Sequence, residues 1–142
     1  MLSEPNARLI KEYLEIAVDA PEDLDRFSRL LSDDCTWRVV PPGVTFNGIG
    51  QVKSFAGMAM GSRAHDEENK VKISNWFADG DNFCVQYFHC AIITRFRIKV
   101  KENVCLVCHM QDGKFDRIHE YVDSGSIWIS LGLILLPLMI KV

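Results

Sequence analysis

The N-terminal part of the chain repeats apolar residues at the spacing of α-helices. Apolar residues recur every three to four positions over 9–17 and again over 24–31, which predicts two amphipathic helices. Pro21 and the acidic residues that follow it suit the first turn of the second helix. A short third helix is predicted over QVKSFAGMAM at 51–60, although Gly57 is a weak helix former.

From residue 70 onward the pattern changes to β-strands. Four segments are rich in β-branched and aromatic residues: VKISNWFA, NFCVQYFHCAIIT, IKVKENVCLVCHM and KFDRIHEYV. An earlier strand, CTWRVV, ends at PPG over 41–43. Asp79-Gly80 and Asp112-Gly113 predict two-residue hairpin turns. Helices followed by antiparallel strands predict an α+β fold, in which helices cover one face of a curved sheet and can enclose a pocket.

The last predicted hairpin places an acidic residue beside apolar ones. If Asp112-Gly113 is a two-residue turn, Glu120 lies opposite Cys105 and Ile118 lies opposite Val107. These four residues then share a mostly apolar face, which is the better candidate for the inward face. The pattern therefore predicts that Glu120 lies in the wall of a pocket.

Composition narrows the class of protein. A chain of 142 residues with 48% hydrophobic residues suits one globular domain, and a net charge of −3 gives no reason to expect a nucleic-acid partner. The five cysteines lie in apolar runs, and no signal peptide is visible, which predicts reduced thiols in a cytoplasmic protein. Cys105 and Cys108 point to opposite faces of one strand, so CLVC predicts no metal site, and no cofactor is expected.

The C-terminal segment is unusually apolar. We predict one domain over residues 1–125 and an apolar tail over 126–142, in which Ile127 to Ile140 carry no charge. As a helix these fourteen residues would span about 21 Å, short of the roughly 30 Å of a bilayer core. We therefore expect the tail to pack on the domain or on a second subunit rather than to attach to a membrane.

Two stretches of the chain resemble a known family. LLSDDCTWRVVPPGVTFNGIGQVKSF and DGKFDRIHEYVD are similar to the SnoaL-like group of the nuclear-transport-factor-2-like superfamily, and the resemblance covers Leu9 to Asp123. It implies a cystatin-like, cone-shaped α+β roll with a pocket, often dimeric through its sheet. The superfamily also includes limonene epoxide hydrolase, polyketide cyclases and ketosteroid isomerase, so the resemblance implies no single reaction.

The resemblance also indicates positions for a site. Limonene epoxide hydrolases carry a catalytic carboxylate at the position that matches Glu120. Their Arg-x-Asp pair matches Tyr87 and His89, so the pair is absent here and epoxide hydrolysis by that mechanism is not expected.

Tyr87, His89 and Glu120 are the predicted catalytic residues. Tyr87 and His89 share a strand face, and a Glu or His can move a proton beside a carbonyl while Tyr donates a hydrogen bond to the oxyanion. The alternative is that the three side chains only hydrogen-bond one another, because a buried polar group without a partner is costly. The predicted function is therefore cofactor-independent isomerase, cyclase or hydratase chemistry, and the alternative is a non-catalytic ligand-binding or dimeric assembly module.

Aromatic and apolar residues near these three are candidate walls of a pocket for a hydrophobic small molecule. The alternative for each of them is packing in the core. The candidates are Trp37, Val39, Phe55, Met58, Trp76, Cys105 and Ile118. A homodimer is expected.

Overall fold

The structure is a computed structural model that describes residues 1–21, 23–61, 71–93, 97–123 and 125. The predicted tail over 126–142 lies outside the described residues. The helices are α1 (Glu4–Asp19), α2 (Leu24–Ser28) and α3 (Gly48–Gly61). The strands are β1 (Leu31–Val40), β2 (Val44–Asn47), β3 (Lys72–Asp79), β4 (Asn82–Ile93), β5 (Ile98–Gln111) and β6 (Lys114–Val122).

The six strands form one curved, unclosed sheet in the order β2-β1-β6-β5-β4-β3. Strand β1 runs parallel to β6, and every other neighbouring pair is antiparallel. The helices pack on the concave face, so the predicted α+β cone is confirmed. No helix in the described ranges is long and apolar enough to cross a membrane.

Aromatic rings join α1 to the sheet at the centre of the core. The Tyr13 ring on α1 meets the rings of Phe83 and Phe115 edge-on, at centroid distances of 5.7 and 5.8 Å. Phe83 and Phe115 stack on each other at 6.0 Å, and both are buried. Offset and edge-on aromatic contacts add to the free energy gained by burying the rings. The apolar stripe predicted for 9–17 is the face that α1 buries.

The second helix is shorter than the sequence predicts. The apolar pattern extends to residue 31, but α2 ends at Ser28 and β1 already begins at Leu31. Leu31 lies opposite Phe115 of β6, and the backbone N–H of Phe115 donates to the carbonyl of Leu30 at 2.8 Å. Pairing with a distant strand therefore overrides the local helical pattern.

Gly57 has a packing role in α3. A Cβ at this position would lie 3.2 Å from Cδ2 of Leu24, a tight contact. The glycine therefore lets α2 approach α3 closely, and α3 continues through it to Gly61. The helix also begins earlier than predicted, at Gly48, directly after β2.

One of the two predicted turns is displaced by one residue. In the β3–β4 hairpin, Asp79 pairs with Asn82, so the central residues are Gly80 and Asp81 rather than Asp79 and Gly80. The Asp112-Gly113 turn is confirmed, because Gln111 pairs with Lys114 and the turn residues have φ values of 52° and 70°.

The register predicted for the last hairpin is wrong by one residue beyond its turn. A β-bulge lies near Asp116, where the pairing shifts between Met110–Phe115 and His109–Arg117. The extra residue turns both Phe115 and Ile118 inward, although they are three apart, and both are buried. Ile118 then lies opposite Cys108, and Glu120 lies opposite Leu106. Glu120 still faces the concave side.

The five cysteines are thiols, and three of them are held in the protonated form. Burial raises the pKa of Cys35 and, more strongly, that of Cys108. Burial and a contact with Cys105, whose sulfur lies 3.6 Å away, raise the pKa of Cys84 to about 11. Because the thiolate is the reactive form of cysteine, these three thiols are poor nucleophiles near neutral pH.

Candidate functional site

A cavity of about 70 Å³ lies between α3 and the concave face of the sheet. We call it the cone cavity. Eight residues line it: Trp37, Ala56, Ala59, Met60, Tyr87, His89, Glu102 and Glu120. A narrower cavity of about 30 Å³ shares Trp37, Met60 and Tyr87 with it and extends toward α1 and α2. All three predicted catalytic residues therefore meet in one cavity; their roles remain predictions.

Glu120 is held in the cavity wall by Trp37. The indole Nε1–H of Trp37 donates to Oε2 of Glu120 over 2.8 Å. The parallel pairing of β1 with β6 sets up this contact, because Trp37 lies opposite Ile118 and Val39 lies opposite Glu120. Trp37 is buried and Glu120 is half-buried. A glutamate beside an isoleucine is therefore tolerated on the inward face, because an indole donor satisfies one of its oxygens.

His89 is paired with a second carboxylate, that of Glu102. His89 Nε2 lies 3.0 Å from Glu102 Oε2, and the two side chains are only 8% and 12% exposed. The residues are directly opposite each other in the β4–β5 hairpin, which brings their side chains together on the concave face. The sequence analysis missed Glu102. Counting across this hairpin from paired strand ends would have found it.

The other ring nitrogen of His89, Nδ1, is buried, and no described residue offers it a hydrogen bond. Tyr87, two residues earlier on the same strand face, stacks its ring on the imidazole at a centroid distance of 5.7 Å. This ring contact and the pair with Glu102 hold the imidazole against the concave face of the sheet.

The other predicted wall residues fall into two groups. Trp37 lines the cavity, while Phe55, Val39 and Ile118 lie behind it in or against the core. Phe55 meets the Trp37 ring edge-on at 5.4 Å and stacks on Phe46 at 4.4 Å. These residues support Trp37 rather than line the cavity themselves.

Met58, Trp76 and Cys105 lie away from the cone cavity. Met58 is 68% exposed on the outer side of α3, and Met60 instead reaches the cavity, together with Ala56. Trp76 is half-exposed against Phe83. Cys105 lies on the convex face opposite Tyr121, because the bulge in β6 brings Leu106 rather than Cys105 opposite Glu120. Val52, Ala56 and Met60 recur at helical spacing, and this spacing predicts that Met60 rather than Met58 faces inward.

The electrostatic character of the cavity comes from its two carboxylates. Glu102 and Glu120 line the cavity together with one imidazole, and none of the described residues that line it is Lys or Arg. Within the described ranges, no three His, Cys, Asp or Glu side chains are grouped as metal ligands. The polar chemistry available in this wall is therefore that of carboxylate, imidazole and phenol.

Solved structures with the same fold come from several organisms. A protein described as a SnoaL-like polyketide cyclase from Jannaschia sp. CCS1 matches with a TM-score of 0.72 and 14% identity, over 89% of this chain and 92% of that one. An LEH-like epoxide hydrolase of M. tuberculosis matches with a TM-score of 0.68 and 22% identity, over 94% and 96%. A protein described as a ketosteroid isomerase from Kribbella flavida DSM 17836 matches with a TM-score of 0.63 and 13% identity, over 84% and 78%.

Sequence comparison identifies the family. No curated protein matches the chain. The sequence profile of the SnoaL-like domain matches residues 10–118, which is most of the chain and includes every described strand except the last residues of β6. The chain therefore belongs to the SnoaL-like domain family.

Proposed function

We propose that this protein binds a hydrophobic small molecule in the cone cavity and carries out cofactor-independent acid–base chemistry on it, of the isomerase, cyclase or hydratase type. The observation that carries the proposal is that Tyr87, His89 and Glu120 line one cavity together with the apolar side chains of Trp37 and Met60. A mostly apolar cavity with a few converging polar groups is typical of a small-molecule site.

Each polar group of the cavity has a distinct role in this proposal. Glu120, oriented by Trp37, acts as the base or acid, and His89 assists it across the cavity. Tyr87 donates a hydrogen bond to the oxygen on which negative charge develops. A positioned general base typically contributes about 10²–10⁴ in rate. The apolar surfaces of Trp37 and Met60 supply the hydrophobic contact.

The similar structures support small-molecule chemistry of this range without selecting a reaction. They are described as a polyketide cyclase, a ketosteroid isomerase and an epoxide hydrolase. Tyr87 and His89 stand where limonene epoxide hydrolases have their Arg-x-Asp pair, and none of the described residues that line the cavity is an Arg. Isomerisation, cyclisation or hydration therefore fit the site better than epoxide opening.

Glu120→Gln tests the proposal. We expect turnover of a substrate found by ligand screening to fall by about 10²-fold or more, because the amide cannot take a proton. The amide oxygen can still accept from Trp37, so the fold should be retained. Glu12→Gln, on the exposed side of α1, is the matched control and should leave turnover unchanged. Turnover that survives in Glu120→Gln at the wild-type rate would remove Glu120 from the mechanism.

A second candidate function, assembly through the sheet, is favoured by the convex face. Phe77, Val107 and Tyr121 are exposed there on β3, β5 and β6, and we call them the outer patch. Phe77 and Val107 flank Cys84 in the strand register, and Tyr121 lies in the next row, so the patch is continuous. We propose that a second copy of the chain covers it, because an exposed apolar patch on a sheet face can pack on its own copy about a two-fold axis.

Val107→Glu tests this assembly. We expect light scattering to show a dimer for the wild-type chain and a monomer for the variant, because a charge at the centre of an apolar contact would be buried without a partner. Val18→Glu, at an equally exposed valine on α1, should remain a dimer. If Val107→Glu remains a dimer, the outer patch is excluded as the interface.

The apolar tail is expected to contribute to the same assembly or to pack on its own domain. Deleting residues 126–142 should therefore expose apolar surface and change the oligomeric state, measured by light scattering, or the melting temperature. A truncated chain with the same oligomeric state and the same melting temperature would contradict this expectation.

A further inference from the structure

An open groove of about 550 Å³ lies on the side of α3 that faces away from the cone cavity. We call it the outer groove. The rings of Phe46 and Phe55 stack in its wall at 4.4 Å, and Met58 is 68% exposed there. Its described lining residues carry no charge: Phe46 of β2, and Gly50, Gln51, Ser54, Phe55 and Met58 of α3. A Cβ at Gly50 would meet no described atom within 4 Å, so the groove is open above this turn of the helix.

The chain outside the described residues contains one segment of matching chemistry. Residues 127–140 carry no charge and are rich in leucine and isoleucine. Residues 62–70, which follow α3 directly, read SRAHDEENK and would bring charges onto an apolar surface. Contact between the apolar tail and the outer groove would remove apolar surface of both from water.

We propose that the apolar tail of the same chain docks in the outer groove, with residues 127–136 lying along α3. This inference goes beyond the proposed function, because the outer groove is separate from the cone cavity. It assigns a binding surface on the domain to the tail and names the helix that the tail covers.

The outer groove is within reach of the end of β6. Phe46 of β2 lies opposite Trp37, and Trp37 lies opposite Ile118, so the groove is two strand spacings, about 10 Å, from β6. Along β6, Ile118 lies about 17 Å before Asp123. The straight distance from Asp123 is then about 20 Å. Three extended residues, 124–126, and a ten-residue helix after them would together cover about 25 Å.

The end of β6 also sets the direction in which the tail enters the groove. The backbone N–H of Asp123 donates to the carbonyl of Asn103 at 2.9 Å, which holds the last residues of β6 on the sheet. The last turns of α3 lie beside this end of the strand, because Met60 and Glu120 line the same cavity. The tail therefore meets the Met58 end of the groove first and runs antiparallel to α3.

The apolar run before Pro137 has the length and spacing that the groove requires. A proline disfavours helix at the residue before it, so a helix in the tail would end near residue 136. Ten residues, 127–136, would form a helix of about 15 Å, and the groove between Gly50 and Met58 is about 12 Å long. The tail has Trp128, Leu131 and Leu135 at the spacing i, i+3 and i+7, by which an amphipathic helix occupies an apolar groove.

Methyl NMR of the full chain, labelled at its five methionines, tests the docking. A soluble paramagnetic reagent broadens the signals of methyl groups that solvent reaches. Met1 is exposed and Met110 is fully buried, so their signals mark the two limits. We expect the methyl signal of Met58 to broaden about threefold less than that of Met1, because side chains in contact within about 4 Å exclude the reagent. Equal broadening of Met58 and Met1 would overturn the proposal.

Substitutions on both sides of the contact identify the occupant. The double variant Leu131→Glu, Leu135→Glu should broaden the Met58 signal as much as that of Met1, because the charges cannot be buried on an uncharged groove. Ser54→Glu should have the same effect from the groove, while Ser54→Ala should leave Met58 protected. Ser54 is exposed on α3, so these two substitutions leave the core of the domain intact. Protection of Met58 that survives in the double variant would mean a different occupant and would overturn the proposal.

A tail supplied by a second copy is the rival arrangement. Chains uniformly labelled with carbon-13 and unlabelled chains are refolded together, and nuclear Overhauser contacts between the two kinds of chain are recorded. We expect the contacts of the Met58 methyl with Trp128 and Leu131 to occur within one chain. Contacts of a labelled Met58 with the tail of an unlabelled chain would overturn the assignment to the same chain. Neither result depends on the cone cavity, so the proposed function is tested separately.

Discussion

Replacing Phe115 by alanine should lower the free energy of unfolding by about 3–5 kcal/mol. The ring is almost fully buried, where it meets Tyr13 edge-on and stacks on Phe83. Its removal leaves a void at the centre of the core that these rigid rings cannot fill. Urea denaturation followed by circular dichroism measures the change, and the slope of the transition should stay the same.

Val18→Ala is the matched control for this substitution. Val18 is 48% exposed on α1 and belongs to none of the cone cavity, the outer patch and the outer groove. Its truncation should change the free energy of unfolding by no more than about 0.5 kcal/mol. Equal losses for the two variants would contradict the described bulge, because it is the bulge that turns Phe115 inward.

Replacing His89 by leucine should cost about 3–5 kcal/mol of unfolding free energy. The substitution keeps an apolar side chain of similar size but leaves the Glu102 carboxylate buried without the partner that holds it at 3.0 Å. The double variant His89→Leu, Glu102→Leu should recover more than half of this loss, because no charge then remains buried. Thermal and urea unfolding of the two single variants and the double variant measure the coupling.

The His109–Asp116 pair provides the control for this cycle. Its side chains are 31% and 27% exposed, so solvent screens the pair and can replace the lost contact. His109→Leu should therefore cost less than about 1 kcal/mol. A loss as large as that of His89→Leu would mean that burial does not decide the strength of these pairs.

The strands after residue 70 could be predicted closely from the sequence because their signals are local. The boundaries of β4 and β6 follow from β-branched and aromatic residues, and Asp112-Gly113 fixes the turn that joins β5 to β6. The start of β1 could not be predicted in this way. It depends on parallel pairing with β6, which is far away in the chain, and a short window of sequence contains no information about that partner.

The candidate site also contains residues that local patterns predict and residues that depend on contacts distant in the sequence. Tyr87 and His89 were placed together correctly, because alternation along one strand is a local rule. Glu120 was placed on the inward face through a register that is wrong by one residue, since the bulge that moves the register also restores the inward direction. Glu102 could not be predicted from its own strand, because its importance comes from the residue across the hairpin. Met60 rather than the predicted Met58 lines the cavity, because the helical phase of α3 turns Met58 outward.

The account of function rests on Glu120 and His89 facing one ligand in the cone cavity, and an NMR titration with butan-2-ol and butan-2-one tests this most directly. The indole N–H of Trp37 and the imidazole of His89 should shift with one common saturation curve for whichever compound binds, because both groups line the cavity. The indole of Trp76, which packs on Phe83 away from the cavity, should not follow that curve. Saturable shifts at Trp76 with none at Trp37 and His89 would contradict the account.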